Sequence, residues 1–369
     1  MPTMAVLLPV LLVLLGFAVD LAYMQKTRAE LRFVADCAAR AGAADLARND
    51  STISARAVAT RIAEANTVAG QPLRLGPEHI QFGRSTTDAT GRYNFISGAR
   101  PYTSVRVLAE RAAGSPSGAV PLYFGSFIGR EAFDSNAEAV ASFVNYDVCL
   151  VLDRSSSMKL DLDDPGKGMS ISDPRLCLPP RPNSRWMALD QAVDVFVGVL
   201  KASPASEKVS LSTYASFIGN QSWVNNCSTP HRTVKEAYID LALTANLKKL
   251  TNEVGIWSSS IFNGNTHIEE GIRTGIRAVT GSGSRATAEK VLIVLTDGHQ
   301  NVGEARNAAV DCAAQGILCH AITFSDDADR ALMAEVASIG GGMHLHARTE
   351  AELVDAFKMV AGELTRITD

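Results

Sequence analysis

The side chains best suited to chemistry are oxygen donors placed just past short apolar stretches. Residues 147–152 read as a strand, and they run directly into Asp153-Arg154-Ser155-Ser156-Ser157, the pattern D-x-S-x-S. A second apolar stretch, residues 291–295, runs into Thr296-Asp297-Gly298. Between the two, Gly264-Asn265-Thr266 stands just before a helical pattern. Hard divalent cations such as Mg²⁺ take oxygen ligands in an octahedral shell and keep several waters. Two hydroxyls two residues apart on one loop can face a single ion. A third hydroxyl from another loop, with carboxylates from two strand ends, can close the shell. The candidate ligands are therefore Asp153, Ser155, Ser157, Thr266 and Asp297, and the cofactor they suit is a divalent cation, Mg²⁺ first, with Mn²⁺ or Ca²⁺ as alternatives. Taken singly, each fragment has a plainer reading: a turn or helix cap for D-x-S-x-S, an N-cap for Thr266, a turn for Asp297-Gly298. In this order, and at strand ends, they are far more specific. Asp153 is expected outside the core, and the Ser156 side chain is expected to point away from the ion.

These residues must be positioned by the elements around them. From residue 146 the chain alternates strand and helix. Strands are expected at residues 147–152, 209–217, 234–243, 291–295, 318–324 and 343–346. Helices are expected at 186–201, 246–258, 268–280, 304–315, 328–337 and 350–366. Such alternation predicts an α/β fold, a doubly wound, mostly parallel sheet with helices on both faces. In an open α/β sheet, ligands bind outside the carboxyl ends of the strands, at the switch point. Asp153 and Asp297 flank that point if their strands are neighbours.

Upstream lies a different chemistry. Residues 4–19 carry no charge, Asp20 interrupts, and Leu21-Ala22-Tyr23 follows. About 20 residues of helix span a ~30 Å hydrocarbon core. A membrane-anchoring helix, a cleaved signal peptide with Gly16 and Ala18 before the cut, and a buried core helix all fit this run. Residues 24–41 continue the helical pattern, with Leu31, Val34, Ala35, Ala38 and Ala41 at helical spacing, which suits a stem leaving the membrane. Gly42 is a poor helix former, so a bend is expected there, with helix resuming towards Ala65. Lys26, Arg28 and Arg32 follow the apolar run, and the positive-inside rule alone would place that flank in the cytoplasm.

Residues 70–144 read as β, with candidate strands at 79–82, 93–96, 104–110, 121–127 and 137–144. Clusters rich in Gly, Pro, Ser and Thr, at residues 85–91 and 114–118, separate them. Gly114 to Gly118 is no nucleophile elbow, because Pro116 stands where the serine is needed. The region reads as a small antiparallel spacer. The organisation is thus residues 1–65 as membrane anchor and stem, 66–145 as a β-rich spacer, and 146–369 as the α/β domain.

The order Asp153-x-Ser155-x-Ser157, Thr266, Asp297 resembles the metal-ion-dependent adhesion site of a von Willebrand factor A domain, over residues 146 to about 366. The resemblance implies that Ser155, Ser157 and Thr266 ligate the ion through hydroxyls, that Asp153 and Asp297 act largely through waters, and that one position stays open for an acidic side chain of a protein partner. Residues 158–184 are longer than the usual link to the first helix. Likewise, the apolar run, Asp20 and the stretch from Thr27 to Gly42 resemble the anchor of tight-adherence pilus assembly proteins of the TadE/TadG type. That family joins such an anchor to a von Willebrand A domain outside the bacterial cytoplasmic membrane. The resemblance therefore implies a single-pass protein with its bulk on the extracytoplasmic side, against the positive-inside reading. If the sheet order is that of this fold, the loops bearing Cys177 and Cys227 approach each other, and a disulfide between them is expected in an oxidising compartment.

Other residues receive lesser roles. Cys149 reads as a core thiol, Cys37 as a small stem residue, and Cys312 and Cys319 flank a helix-to-strand turn. His267 and His299 stand near the metal edge, while His344 and His346 share one face of a short strand but do not complete a metal shell. Asp161, Asp163 and Asp164 read as a solvated acidic loop.

Composition narrows the function. The 369 residues carry 35 Lys plus Arg against 39 Asp plus Glu, a net charge of −4, which argues against a nucleic-acid partner. With 46% hydrophobic residues the chain buries a core, and six cysteines without a C-x-x-C pair argue against structural zinc. Three classes remain: a membrane-anchored, metal-dependent protein-binding module of the bacterial envelope, in adhesion or pilus assembly; a pilin-like structural subunit with an idle metal site; and a metal-dependent hydrolase. The last is weakest, because the motif supplies ligands but no general base or nucleophile.

Overall fold

Alanine and glycine set the packing of the N-terminal helices. The computed structural model describes residues 2–87, 93–100, 102–143, 145–164, 169–202, 207–286 and 288–364, and divides the chain into two compact units at residues 144 and 145. In the first unit, α1 (Pro2–Asn49) is one helix of 48 residues. It runs straight through Gly42, so the expected bend is not found. The glycine is used for close approach instead: a methyl group there would sit 3.2 Å from Ala59 Cβ and 3.4 Å from the Ala55 carbonyl oxygen. Both alanines lie on α2 (Thr52–Glu64), the helix that packs back on α1. The chain turns at Asp50, whose φ is 48°, and Ser51 caps α2 by accepting the Ser54 amide at 3.3 Å.

The helical stripe behaves as expected. Leu31, Val34, Ala35 and Ala38 are fully buried, and α1 lies across an antiparallel sheet. Its strands are β1 (Ile80–Thr87), β2 (Tyr93–Ser97), β3 (Ser104–Arg111) and β4 (Ser135–Ser142), in the order β2-β1-β3-β4. The expected strand at 121–127 is not formed. Only Val120–Pro121 pairs, with Ala132–Phe133, and residues Gly125–Ile128 make a 3-10 turn. The Gly125 carbonyl accepts the Arg130 amide at 2.9 Å, and Gly129 takes a φ of 71° that closes the turn. Of the expected loop at 85–91, residues 85–87 belong to β1, and residues 88–92 lie outside the described residues.

Leu11, Leu12, Leu14, Leu15 and Phe17 are each at least half exposed, which removes the buried-core-helix reading of the apolar run. Among the described residues, no helix is long and apolar enough to cross a membrane. The side chains of residues 1–10, on which much of the expected span falls, lie outside the described residues.

The second unit is an α/β sandwich built on a six-stranded sheet. The strands are β5 (Tyr146–Asp153), β6 (Lys208–Tyr214), β7 (Ala237–Thr244), β8 (Glu289–Thr296), β9 (Ile317–Phe324) and β10 (Gly341–Ala347). Their order is β7-β6-β5-β8-β9-β10, all parallel except the edge strand β7. Strands buried on both faces read as continuous apolar runs, as β5 and β8 do. On one face, α3 (Arg185–Ala202), α4 (Leu247–Ser258) and α8 (Glu350–Leu364) cover a core of Trp186, Phe196, Trp257 and Phe357. On the other, α5 (Ile268–Thr280), α6 (Ala305–Ala314) and α7 (Arg330–Ile339) cover Ile268, Ile272, Met333 and Val336. The chain leaves β5 towards β6 and β7, then returns to β8 on the other side of β5. The switch point therefore lies between β5 and β8, and Asp153 and Asp297 end the two strands that flank it.

Candidate metal centre

Register brings the acidic strand ends together. Leu152 pairs with Leu295 across β5 and β8, and Asp153 pairs with Tyr214 across β5 and β6. Thr296 is thus beside Asp153, and its hydroxyl donates to Asp153 Oδ2 at 2.8 Å. Asp153 Oδ1 accepts the Ser155 amide at 2.7 Å, the usual way an aspartate holds a tight turn. Both oxygens are therefore engaged inside the protein, and Asp153 is fully buried, not at the periphery as its strand-end position suggested.

The hydroxyls follow from the same turn. Ser155 Oγ lies 2.9 Å from Ser157 Oγ, and Ser157 Oγ donates to Asp297 Oδ1 at 2.8 Å. A methyl group placed on Gly298 would sit 3.6 Å from Thr266 Oγ1 and 3.8 Å from Ser157 Oγ, so these two oxygens border one point. Thr266 is held by its backbone: its amide donates to Asn301 Oδ1 at 3.0 Å, and its carbonyl accepts the Asn301 amide at 2.9 Å. Gly264 allows the third loop to reach the site. Its φ is 137°, and a side chain there would meet the Ser216 carbonyl at 2.9 Å. Ser156 faces the other way, as expected. Its hydroxyl donates to the Gly264 carbonyl at 3.3 Å and accepts the Gly264 amide at 3.2 Å, which ties the first loop to the third.

The five sequence candidates thus converge, and Ser155, Ser157, Thr266 and Asp297 line an open cavity of about 390 Å³ together with Arg185, Asn301, His299 and Asp327. Burial pushes the Asp153 carboxyl up to about 7, with the nearby Asp297 charge adding to it. Burial likewise raises Asp297, against the lowering effect of Arg185. Two buried acids beside three hydroxyls form an all-oxygen donor set of the kind a hard cation fits. Among the described residues no group of three or more His, Cys, Asp or Glu side chains is placed to hold a metal.

Sequence reasoning missed Arg185. It is 2% exposed, starts α3, and its Nη1 donates to Asp297 Oδ2 at 2.8 Å in a buried ion pair. Its Nη2 reaches Asp327 at 3.4 Å, and its Nε has no partner. Nothing in the local sequence marks it, because an arginine opening an amphipathic helix usually points to solvent. Tyr214 and Thr296, also missed, are fully buried at the ends of β6 and β8.

Of the described residues in the 158–184 segment, Met169 lines the cavity. Lys159 is 1% exposed, and its ammonium donates to the Arg175, Leu176 and Leu178 carbonyls at 2.7, 3.3 and 3.2 Å. Asn263 Nδ2 donates to the Leu176 carbonyl at 2.6 Å. The Cys177–Cys227 disulfide is present, with Cα atoms 5.1 Å apart. Cys149, Cys312, Cys319 and Cys37 are free thiols. Asp161 and Asp164 pair with Arg181 and Arg175, so they are engaged in ion pairs and not free for a cation. His299 lines the rim of the cavity and sits 3.4 Å from Asp329, whereas His267 is turned towards Gly303 and lies outside the lining. His344 and His346 both bond the Thr323 hydroxyl, at 2.9 and 3.0 Å.

Comparison with known proteins bears on these two units separately. The family model described as von Willebrand factor type A domain matches residues 147–358. The model for Tad-like Flp pilus-assembly matches residues 41–141, and that for TadE/G-like Flp pilus-assembly matches residues 1–45. A search of curated proteins finds no significant match. Among solved structures, an aerotolerance-related membrane protein from Bacteroides fragilis is 16% identical, covering 60% of this chain and 100% of its own, with a TM-score of 0.43. The pilus adhesin SpaC from Lactobacillus rhamnosus GG is 14% identical, covering 76% of this chain and 36% of its own, with a TM-score of 0.43. Proximal thread matrix protein 1 from the mussel byssus, solved with a zinc-occupied metal-ion-dependent adhesion site, is 16% identical over 61% of this chain and 46% of its own, with a TM-score of 0.41.

Proposed function

Because the chain belongs to the von Willebrand factor type A domain family and carries TadE/G-like and Tad-like Flp pilus-assembly segments upstream, we propose that it is an envelope protein of tight-adherence pilus assembly. In this reading residues 1–65 anchor it in the cytoplasmic membrane by one pass, residues 66–145 form the spacer, and residues 146–369 bind a protein partner outside that membrane through a divalent cation.

The observation that carries the metal reading is the convergence of Asp153, Ser155, Ser157, Thr266 and Asp297 at the switch point of the parallel sheet. Ser155, Ser157 and Thr266 would hold the ion through hydroxyls, with Asp153 and Asp297 acting through waters. Mg²⁺ is the first choice for such a set, with Mn²⁺ or Ca²⁺ as alternatives. A bound ion would supply a Lewis-acid position able to take an acidic side chain of the partner. The chain's own contribution is to hold the donors, to keep the Asp153 and Asp297 charges out of water, and to shape the rim with Arg185, His299 and Asp327.

Two measurements test this. At ~100 Kd of Mg²⁺ a site of this kind adds about 2.7 kcal/mol, which raises the melting midpoint by roughly 5 to 10 degrees for a domain of this size. A pull-down from envelope extract should retain a partner in Mg²⁺ and lose it in chelator. The pilin-like alternative, with an idle site, predicts no change in either measurement. An unchanged midpoint in saturating Mg²⁺ or Mn²⁺, with partner capture unaffected by chelator, rejects the metal-dependent reading.

A further inference from the structure

An aspartate in an apolar helix is costly unless the protein itself satisfies it. Asp20 interrupts the apolar run of α1 and is 6% exposed. Its Oδ1 accepts the Tyr123 amide at 2.9 Å and its Oδ2 accepts the Phe124 amide at 3.0 Å. Both donors belong to the hairpin loop that precedes and forms the 3-10 turn Gly125–Ile128. The same loop lies over Gly16, where a methyl group would stand 2.9 Å from Phe124 Cγ. Tyr123 also packs against Tyr23, ring centroids 4.8 Å apart and planes tilted by 58°. Between residues 11 and 22 only Gly16 and Asp20 are buried, and both lie beneath this loop.

The loop does not end in a protein core. Tyr123 is 67% exposed, Phe127 71% and Phe124 39%, and Phe124 and Phe127 stack with centroids 6.4 Å apart. On the remaining faces of α1, Leu11, Leu12, Leu14, Leu15, Phe17, Val19 and Leu21 are exposed. A helix apolar all round, beside exposed aromatics, is a surface made for lipid and not for water. The charge pattern agrees: Lys26, whose side chain is 69% exposed, and the exposed Arg28 stand just beyond Tyr23, at the level where anionic headgroups are met. Residues 1–19 carry no charged side chain, about 28 Å of helix against a ~30 Å hydrocarbon core. With Asp20 sheathed by the two loop amides, the surface free of exposed charge extends on to Tyr23.

We propose that residues 122–129 form an aromatic foot that enters the interfacial zone of the phospholipid bilayer beside α1, held there by Asp20, so that helix and loop together complete the membrane anchor. The proposal rests on the anchor reading above and concerns a segment that reading does not use. Tyr123, Phe124 and Phe127 occupy the headgroup–acyl boundary, and the two backbone amides keep the Asp20 carboxylate from facing lipid unpaired.

The full chain in phosphatidylcholine–phosphatidylglycerol vesicles tests it, with bromine placed either shallow or deep on the acyl chains as a tryptophan quencher. Trp186, Trp223 and Trp257 of the wild type supply the background to subtract. Leu14→Trp reports the anchor and Phe127→Trp the foot; both positions are more than half exposed, and the indole at 127 keeps an aromatic ring beside Phe124. The expected result is quenching of Leu14→Trp, together with quenching of Phe127→Trp that is roughly twofold stronger from shallow than from deep bromine. Adding Asp20→Ala to Phe127→Trp should reduce that quenching by roughly half or more, because the loop loses its tether. Quenching of Leu14→Trp without any of Phe127→Trp overturns the foot and leaves the anchor standing. Absence of both overturns foot and anchor together. Unchanged quenching with Asp20→Ala overturns the role given to Asp20.

Discussion

Asp153 and Arg185 set opposite electrical conditions within one small site. Asp153 is fully buried and its carboxyl is pushed up to about 7, first by burial and then by Asp297. A carboxyl raised in the folded state favours folding most when protonated. Its contribution is fully present below the ordinary carboxylate range and is lost as pH rises through about 7. A bound cation pairs the ionised form and reverses that loss. The rise in melting midpoint with Mg²⁺ should therefore be larger at pH 8 than at pH 6, by calorimetry; equal shifts would remove Asp153 from the site. The variant to use is Asp153→Asn, which should keep the fold and lose the Mg²⁺ shift. Asp153→Ala is a poorer probe, since it strands the Ser155 amide and the Thr296 hydroxyl, at about 1–3 kcal/mol each. Ser156→Ala leaves the donor set intact but removes a bond between two loops. Arg185 already offers Asp297 a positive charge. Arg185→Gln should tighten Mg²⁺ binding at pH 8 by roughly tenfold or more, since each 1.4 kcal/mol of removed repulsion is a factor of ten. Titration calorimetry reads this directly, and weaker binding would mean that Arg185 positions Asp297 and does not oppose the ion.

At the scale of elements, the unusual piece is residues 158–184. An insertion of this length next to the candidate site needs fastening: the Lys159 ammonium ties its start to three carbonyls near its end, and Asn263 on the Leu176 carbonyl and the Cys177–Cys227 bond tie it to neighbouring loops. The disulfide closes a loop of 50 residues, for which chain entropy gives about 4 kcal/mol. Replacing both cysteines with serine should lower the urea-unfolding free energy by roughly 2–4 kcal/mol, with the Mg²⁺ shift retained because neither sulfur touches the donors. Loss of the shift in that variant would show that the segment holds the site open. The N-terminal helices obey a related rule of close approach: Gly42 is kept for the alanines of α2, and the chain turns only where Asp50 adopts a positive φ.

For the whole molecule, the proposed topology makes one decisive prediction. Protease added to spheroplasts should digest the chain beyond residue 24, since the disulfide calls for an oxidising compartment and the upstream segments match pilus-assembly families. Lys26, Arg28 and Arg32 favour the reverse orientation by the positive-inside rule. Full protection in sealed spheroplasts, with digestion only after lysis, would settle the matter in favour of those charges.

The α/β domain was legible because its strands are continuous apolar runs and its helices are amphipathic, signals that depend only on near neighbours in the chain. The candidate ligands could be picked out for a related reason: Asp153, Ser155, Ser157 and Asp297 stand just past such runs, Thr266 stands just before a helix, and their order along the chain carries the family pattern. Element ends strayed by a few residues, and the strand expected at 121–127 became a turn, because pairing depends on a partner strand and glycine lets the chain leave it. Tertiary structure alone decided what surrounds the ligands. That Asp153 is buried, that Arg185 reaches Asp297 from 112 residues away, and that Asp20 is satisfied by amides 103 and 104 residues distant are facts of three-dimensional register. Local sequence records which groups a residue can bond; only packing decides which of them come within 3 Å and which are left with water.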